Sequence, residues 1–235
     1  MKAPEFLADL EAMPATLRAL ADAIDNTVWP VEPGGRIVLT GMGSSWFAAD
    51  TAARRMRRAG VNVVAELASV EATFPPDPAL TIVGITASGT SKETVELLCA
   101  HHGTSTTIAL TNTSDAALPA DATVLMHAGV EVGGVACRSY LHTLVMLLHL
   151  QQHLTGTIPD LAEKVKTAAA AATALLDRRA DWLPLVETAL GGPHGTWLMA
   201  PAERMGNALH GALMLREGPR RAADGCETGD WNHVD

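Results

Sequence analysis

Residues 81–94 read TIVGITASGTSKET: a short apolar run, a loop of hydroxyls with one glycine, and a segment able to start a helix. The run is rich in β-branched residues and bounded by turn formers, which predicts a buried strand over Leu80–Ile85. The loop Thr86-Ala87-Ser88-Gly89-Thr90-Ser91 can aim several hydroxyls and backbone N–H groups at one place. The partial positive charge of a helix start adds to them, and together they suit a phosphate. The arrangement recurs upstream, where RIVLT (36–40) leads into Gly41-Met42-Gly43-Ser44-Ser45-Trp46 and the helical pattern FAADTAARRMRR (47–58). Two strand–loop–helix units of this kind predict a phosphorylated small molecule held between them.

Outward from this pair, further strands are expected at Val61–Ala65, Thr106–Leu110 and Thr123–Met126, with helices near Ser45–Ala59 and Ser91–His102. This rhythm predicts an α/β fold, a doubly wound five-stranded parallel sheet in flavodoxin-like order, covered on both faces. Ligands on such sheets lie beyond the carboxyl ends of the strands at a topological switch point, where both loops fall. An amphipathic helix is expected over Ala3–Ile24, with Phe6, Leu10, Leu17, Leu20 and Ile24 on one side and a break or kink at Pro14. VWPVEPGG (28–35) reads as a linker. Downstream, helices are expected over Val135–Leu154 and Leu161–Leu190, then a strand at Thr196–Ala200 and a helix over Glu203–Glu217. A lone strand cannot satisfy its edges, so a second βα unit is expected to be completed by further chain or by another subunit.

The 235 residues are 48% hydrophobic, enough for a sizeable core, and carry a formal charge of −9. That charge argues against general nucleic-acid binding, which needs Lys and Arg to meet phosphates. It does not exclude a small anion, which backbone dipoles and hydroxyls bind locally. Cys99, Cys137 and Cys226 are odd in number and form no C-x-x-C pair, the pattern of reduced thiols in a cytoplasmic protein. MKAPEFLADLEAMP has acidic residues throughout and reads as neither signal peptide nor membrane span.

GMGSSWFAAD (41–50) and TASGTSKETVE (86–96) resemble the two signature loops of the sugar isomerase (SIS) domain, which binds phosphosugars. The resemblance runs from about Arg36 onward. It implies a SIS domain over 36–158, preceded by a helix and linker over 1–35. A long helix and the beginning of a second SIS-like unit follow over 159–235. Gly43, Ser44, Ser45, Thr86, Ser88, Gly89 and Ser91 fall on its phosphate-binding positions. ALHGALMLRE (208–217) resembles the family's ALEGALKLKE helix and ETGDWNHVD (227–235) its ELKHGP loop. Aligned without a gap, they put Glu217 on the catalytic glutamate and His233 on the catalytic histidine, with the sixteen-residue separation kept. Related deglycases carry a Glu/His pair at this spacing.

Moving a carbonyl between C1 and C2 of a sugar requires ring opening and a proton carried across an enediol, and a carboxylate with a histidine can do both. The resemblance therefore implies a phosphosugar isomerase, or a deaminase or deglycase of an aminosugar phosphate. No metal or organic cofactor is expected. A homodimer with a shared site is expected, because the family's histidine often crosses the subunit interface. Several departures argue against the glutamine-dependent aminosugar synthases: Met214 for a lysine, His210 for a glutamate, Ala87 for a glutamine, and Ala136 for a serine within EVGGVACRS (131–139). APAER (200–204) also lacks the glycine-rich signature. The main rival is a non-catalytic phosphosugar sensor.

Plainer readings stand beside these. Thr90 and Glu93 fit a capping box, which needs no ligand. Glu217 could be a solvated helix end and His233 a structural histidine. His142, His149 and His153 read as packing or surface residues, and Arg54, Arg55, Arg57 and Arg58 as a solvated helix face. Asp224, Cys226, Glu227, Asp230 and His233 match no common zinc spacing.

Overall fold

The computed structural model describes residues 1–71 and 74–234. Its central sheet has five strands: β1 (Arg36–Gly41), β2 (Val63–Leu67), β3 (Leu80–Thr86), β4 (Thr106–Thr111) and β5 (Ala122–Leu125). They lie in the order β2-β1-β3-β4-β5, all parallel. The middle strands are buried along nearly their whole length, so they read as continuous apolar runs rather than alternating ones. α2 (Ser44–Arg58) and α4 (Arg138–Thr155) cover the face that carries Leu39, Ile85 and Leu110. α3 (Lys92–His101) covers the other, where Leu97 and Leu98 meet Val38, Ile82 and Ala109. The doubly wound five-stranded sheet expected from the sequence is therefore present.

Other elements differ from expectation. α1 (Ala3–Ala23) runs through Pro14 without ending there. Pro14 removes one intrahelical bond, but the helix lies against α5 (Leu161–Asp177), with Leu17, Ala21 and Ile24 meeting Leu161, Val165 and Ala169. The helix expected over Leu161–Leu190 is two, divided at Arg178, where the second, α6 (Arg179–Leu190), begins. The break lets the Trp182 indole donate to the Leu175 carbonyl at 2.9 Å.

The strand at Thr196–Ala200, β6, is not alone. It pairs in parallel with β7 (Ala223–Glu227), and α7 (Met205–Glu217) crosses between them. β7 reads ADGCE, with no apolar run to announce a strand. ETGDWNHVD is likewise not a loop: Thr228–Val234 form helix α8, and Asp235 lies outside the described residues. The Glu227 carboxylate starts this helix by accepting the Gly229 and Asp230 N–H groups at 2.6 and 2.9 Å. Among the described residues, no helix is long and apolar enough to cross a membrane.

One close approach joins the β6–α7–β7 unit to the main sheet. At Gly206 an added Cβ would stand 2.5 Å from the Phe47 carbonyl oxygen and collide with Thr51 Oγ1. Only glycine lets the start of α7 lie on α2. Gly206→Ala is expected to lower the unfolding free energy by about 1–3 kcal/mol, read from urea denaturation. An unchanged midpoint would contradict this packing.

Candidate functional site

β1 is followed by a crossover to β2 on one side, while β3 lies on its other side. The chain thus turns opposite ways from adjacent strand ends, and a crevice opens there. Gly41 and Ile85, near those ends, are register partners, so the loop after β1 and the loop after β3 lie side by side. Gly43 sits at φ 54 and ψ −126, a region open essentially to glycine alone. Gly89 sits at φ 71, and a Cβ there would stand 2.7 Å from the Ala116 methyl.

Neither α2 nor α3 carries a side-chain cap on its first turn. The capping box expected from Thr90 and Glu93 does not form. The helix starts at Lys92, which makes Ser91 the flanking residue and leaves Thr90 Oγ1 2.7 Å from Ser88 Oγ. Ser91 instead meets Thr94 at 3.0 Å and Glu93 at 3.4 Å, and its N–H reaches Thr86 Oγ1 at 3.4 Å. The hydroxyls are thus linked to one another, with two helix starts beside them. Such a group suits the several oxygens of a phosphate.

A cavity of about 360 Å³ adjoins the second loop, lined by Ala87, Ser88, Asn112, Thr113, Glu131 and Ser139 among others. Of the expected phosphate residues, only Ser88 lines it. Glu131 shapes its wall. The carboxylate accepts the N–H groups of Cys137, Arg138 and Ser139 at 2.7, 2.7 and 3.1 Å, and the Ser139 hydroxyl as well. Burial by itself would raise the Glu131 carboxyl, but the hydrogen bonds from Ser139, Cys137 and Arg138 outweigh it and hold the pKa below the usual range. Glu131 is therefore a charged cap for α4. Its loop is fastened from outside by Asp9 of α1, which pairs with Arg138 at 2.9 Å and accepts the Gly133 N–H at 2.8 Å, both charges nearly buried. Asn112 holds the same wall, donating to the Gly129 carbonyl and accepting the Ala128 N–H at 2.8 Å. Sequence reading passed over Asn112 and Glu131 as site residues. Asn112 follows β4 at its carboxyl end, and Glu131 opens the EVGGVACRS stretch, so both signals were there.

Glu217 is reached through α7. Gly206 lies against Phe47 and Thr51, and seven residues later Leu213 lies against Gly43. The helix thus runs antiparallel to α2 and past its start. Glu217, one turn on from Leu213, lies roughly 6 Å further along the axis. It therefore stands on the side of the phosphate loops. The next residue, Gly218, is close to Met1, which is close to Gly134 on the cavity wall.

His233 follows β7 on α8 and is exposed; the helix folds back along the strand pair, with the Trp231 ring 5.7 Å from that of Trp197, the register partner of Asp224. His210, one turn before Leu213, is buried and stacked on Tyr140 with centroids 3.9 Å apart and planes at 15°. Its Nδ1 has no protein partner among the described residues.

The three histidines of α4 pack. His142 bridges the Met126 carbonyl and Thr16 Oγ1, His149 accepts from the Trp29 indole at 3.0 Å, and His153 donates to the Val31 carbonyl at 2.8 Å. Among the described residues, no three His, Cys, Asp or Glu side chains are grouped to hold a metal.

The family model of the SIS domain matches residues 32–151. The glutamine–fructose-6-phosphate aminotransferase (isomerizing) of Pyrococcus horikoshii is 29% identical over 217 residues, 84% of this chain, and the match spans 35% of that relative's length. The C-terminal domain of glucosamine-fructose-6-phosphate aminotransferase from Francisella tularensis superposes with a TM-score of 0.83 at 19% identity, over 97% of this chain and 71% of that one. The glucosamine-6-phosphate deaminase of Thermotoga maritima superposes at 0.79 with 15% identity, over 98% and 72%.

Burial pushes the His210 imidazole from 6.5 down to about 4, against the opposing pull of Glu131. Protonating it below pH 6.5 therefore favours the unfolded chain, and stability from this group falls by roughly 3 kcal/mol as pH drops to 4. His101, His142 and His149 are lowered in the same direction. His210→Phe, which keeps the stack, is expected to flatten the fall between pH 6.5 and 4 without abolishing it. Denaturation midpoints across that range would show it, and an unchanged slope would contradict it.

Proposed function

Because the chain belongs to the SIS domain family, we propose that it is a phosphosugar enzyme working at C1 and C2 of its substrate. The observation that carries this reading is the pairing of two hydroxyl loops, each opening a helix, on adjacent strand ends of β1 and β3. A phosphate there would take the N–H groups at the start of α2 and the hydroxyls of Ser44, Ser45, Thr86, Ser88 and Ser91. Gly43 and Gly89 let the backbone close in. The sugar would then extend toward the end of α7 and the wall held by Glu131 and Asn112.

In this reading Glu217 is the general base, taking a proton from one carbon of the open sugar and returning it to its neighbour. His233 protonates the ring oxygen to open the ring. As the family resemblance implies, the pair is completed by His233 of a second copy in a homodimer with two shared sites. Isomerisation, deamination of an aminosugar phosphate and deglycation all use this proton transfer; the first releases nothing, and the other two add water and release ammonia or an amine. His210 and Met214, in place of a glutamate and a lysine, point away from the glutamine-dependent synthases. The chain spans about a third of the aminotransferases' length, and their whole activity is not carried over.

Proton NMR in D2O with hexose, pentose and aminosugar phosphates tests the chemistry. Deuterium should enter at C1 or C2 of one substrate, and Glu217→Gln should slow entry by about 10²–10⁴-fold while binding persists. Line broadening without exchange would instead identify a sensor. Mixing Glu217→Gln with His233→Ala subunits tests the shared site. Random exchange should restore about a quarter of the activity, because half the dimers then hold one intact site. No recovery from subunits that demonstrably exchange would place both residues in one chain's site or in none.

A further inference from the structure

Four arginines crowd the last turns of α2, in a chain whose net charge is −9. The structure gives them different partners. Arg54 pairs with Asp50 at 2.8 Å, one turn back, and Arg57 donates to the Val63 carbonyl at 3.2 Å. Arg55 and Arg58 instead line a cleft of about 370 Å³ with Gln151, Glu203 and Arg204. Arg58 reaches Glu203 at 3.3 Å, while the guanidiniums of Arg55 and Arg204 have no partner among the described residues. Gln151 is only 6% exposed, and its amide makes one long bond, 3.4 Å to Thr157 Oγ1.

Some positive charge is expected at this end of α2, where the helix carbonyls carry about half a negative charge. Three guanidiniums against one carboxylate and that half charge exceed what the dipole calls for. Guanidinium forks match phosphate oxygens two at a time, and a buried amide beside them adds a neutral donor. We propose that this cleft is a second anion site, one that takes a diphosphate or a phosphate-ester head of similar charge.

The site is separate from the phosphate loops, because α2 is 15 residues long, which sets its ends about 22 Å apart. An adjoining apolar cleft of about 410 Å³, with Val145, Leu148 and Ile158, shares Arg55 and could hold the organic part of an ester. Arg58 lies at the end of α2 and Arg204 just before α7. A bound anion would tie together the far ends of the two helices whose near ends form the phosphate loop and carry Glu217.

Phosphorus NMR titration of the full chain with inorganic pyrophosphate, metal-free and at low salt, tests this. Binding should survive Ser45→Ala/Ser88→Ala, weaken at least tenfold in Arg55→Gln/Arg204→Gln, and weaken steeply with salt. Binding of ADP at least tenfold tighter than pyrophosphate would assign the apolar cleft to the organic body, and equal binding would assign recognition to the diphosphate alone. Loss in the serine variant with retention in the arginine variant would overturn the proposal. So would the absence of binding in the folded wild-type chain.

Discussion

The parallel pairing of β1 with β3 is the constraint on which the rest depends. It places Gly41 beside Ile85, and therefore sets two helix starts and two hydroxyl loops at one crevice. Neither loop makes a site alone, since a single run of hydroxyls before a helix could serve only the backbone. Side by side, with neither helix capped by a side chain, they form a concave array of donors. Buried strand pairing thus sets the position of polar chemistry at the edge of the sheet.

A second constraint is the contact of α7 with α2. Gly206 allows the helices to touch, and their antiparallel run carries Glu217 past the start of α2. The Glu131 loop closes the other side, held from within by the start of α4 and from without by the nearly buried Asp9–Arg138 pair. Losing either partner of such a pair leaves a buried charge uncompensated, which is costly. The N-terminal helix therefore does more than cover the core: it fixes one wall of the cavity.

The sheet was legible because its signals are local. Each middle strand carries a short apolar run (IVL, IVGI, IAL), and Gly43, Ser88 and Gly89 mark the loops directly. What escaped the sequence depends on partners remote in the chain. Pro14 reads as a helix breaker until α5 is seen packed along α1. β7 has no apolar run because its pairing with β6 is set by backbone bonds rather than side-chain pattern. α8 is started by Glu227, and no apolar period in the sequence marks the helix that its carboxylate caps. Glu131 was visible within its motif, but its task as a cap appears only when the start of α4 folds back onto it.

The most direct test is the crystal structure of the chain soaked with the hexose 6-phosphate that it turns over or binds most tightly. The phosphate is expected between the start of α2 and the Thr86–Ser91 loop, within hydrogen-bond reach of Ser45 and Ser88, with C1 and C2 directed toward Glu217. A phosphate bound away from the β1/β3 crevice, or a sugar turned away from the end of α7, would contradict the account.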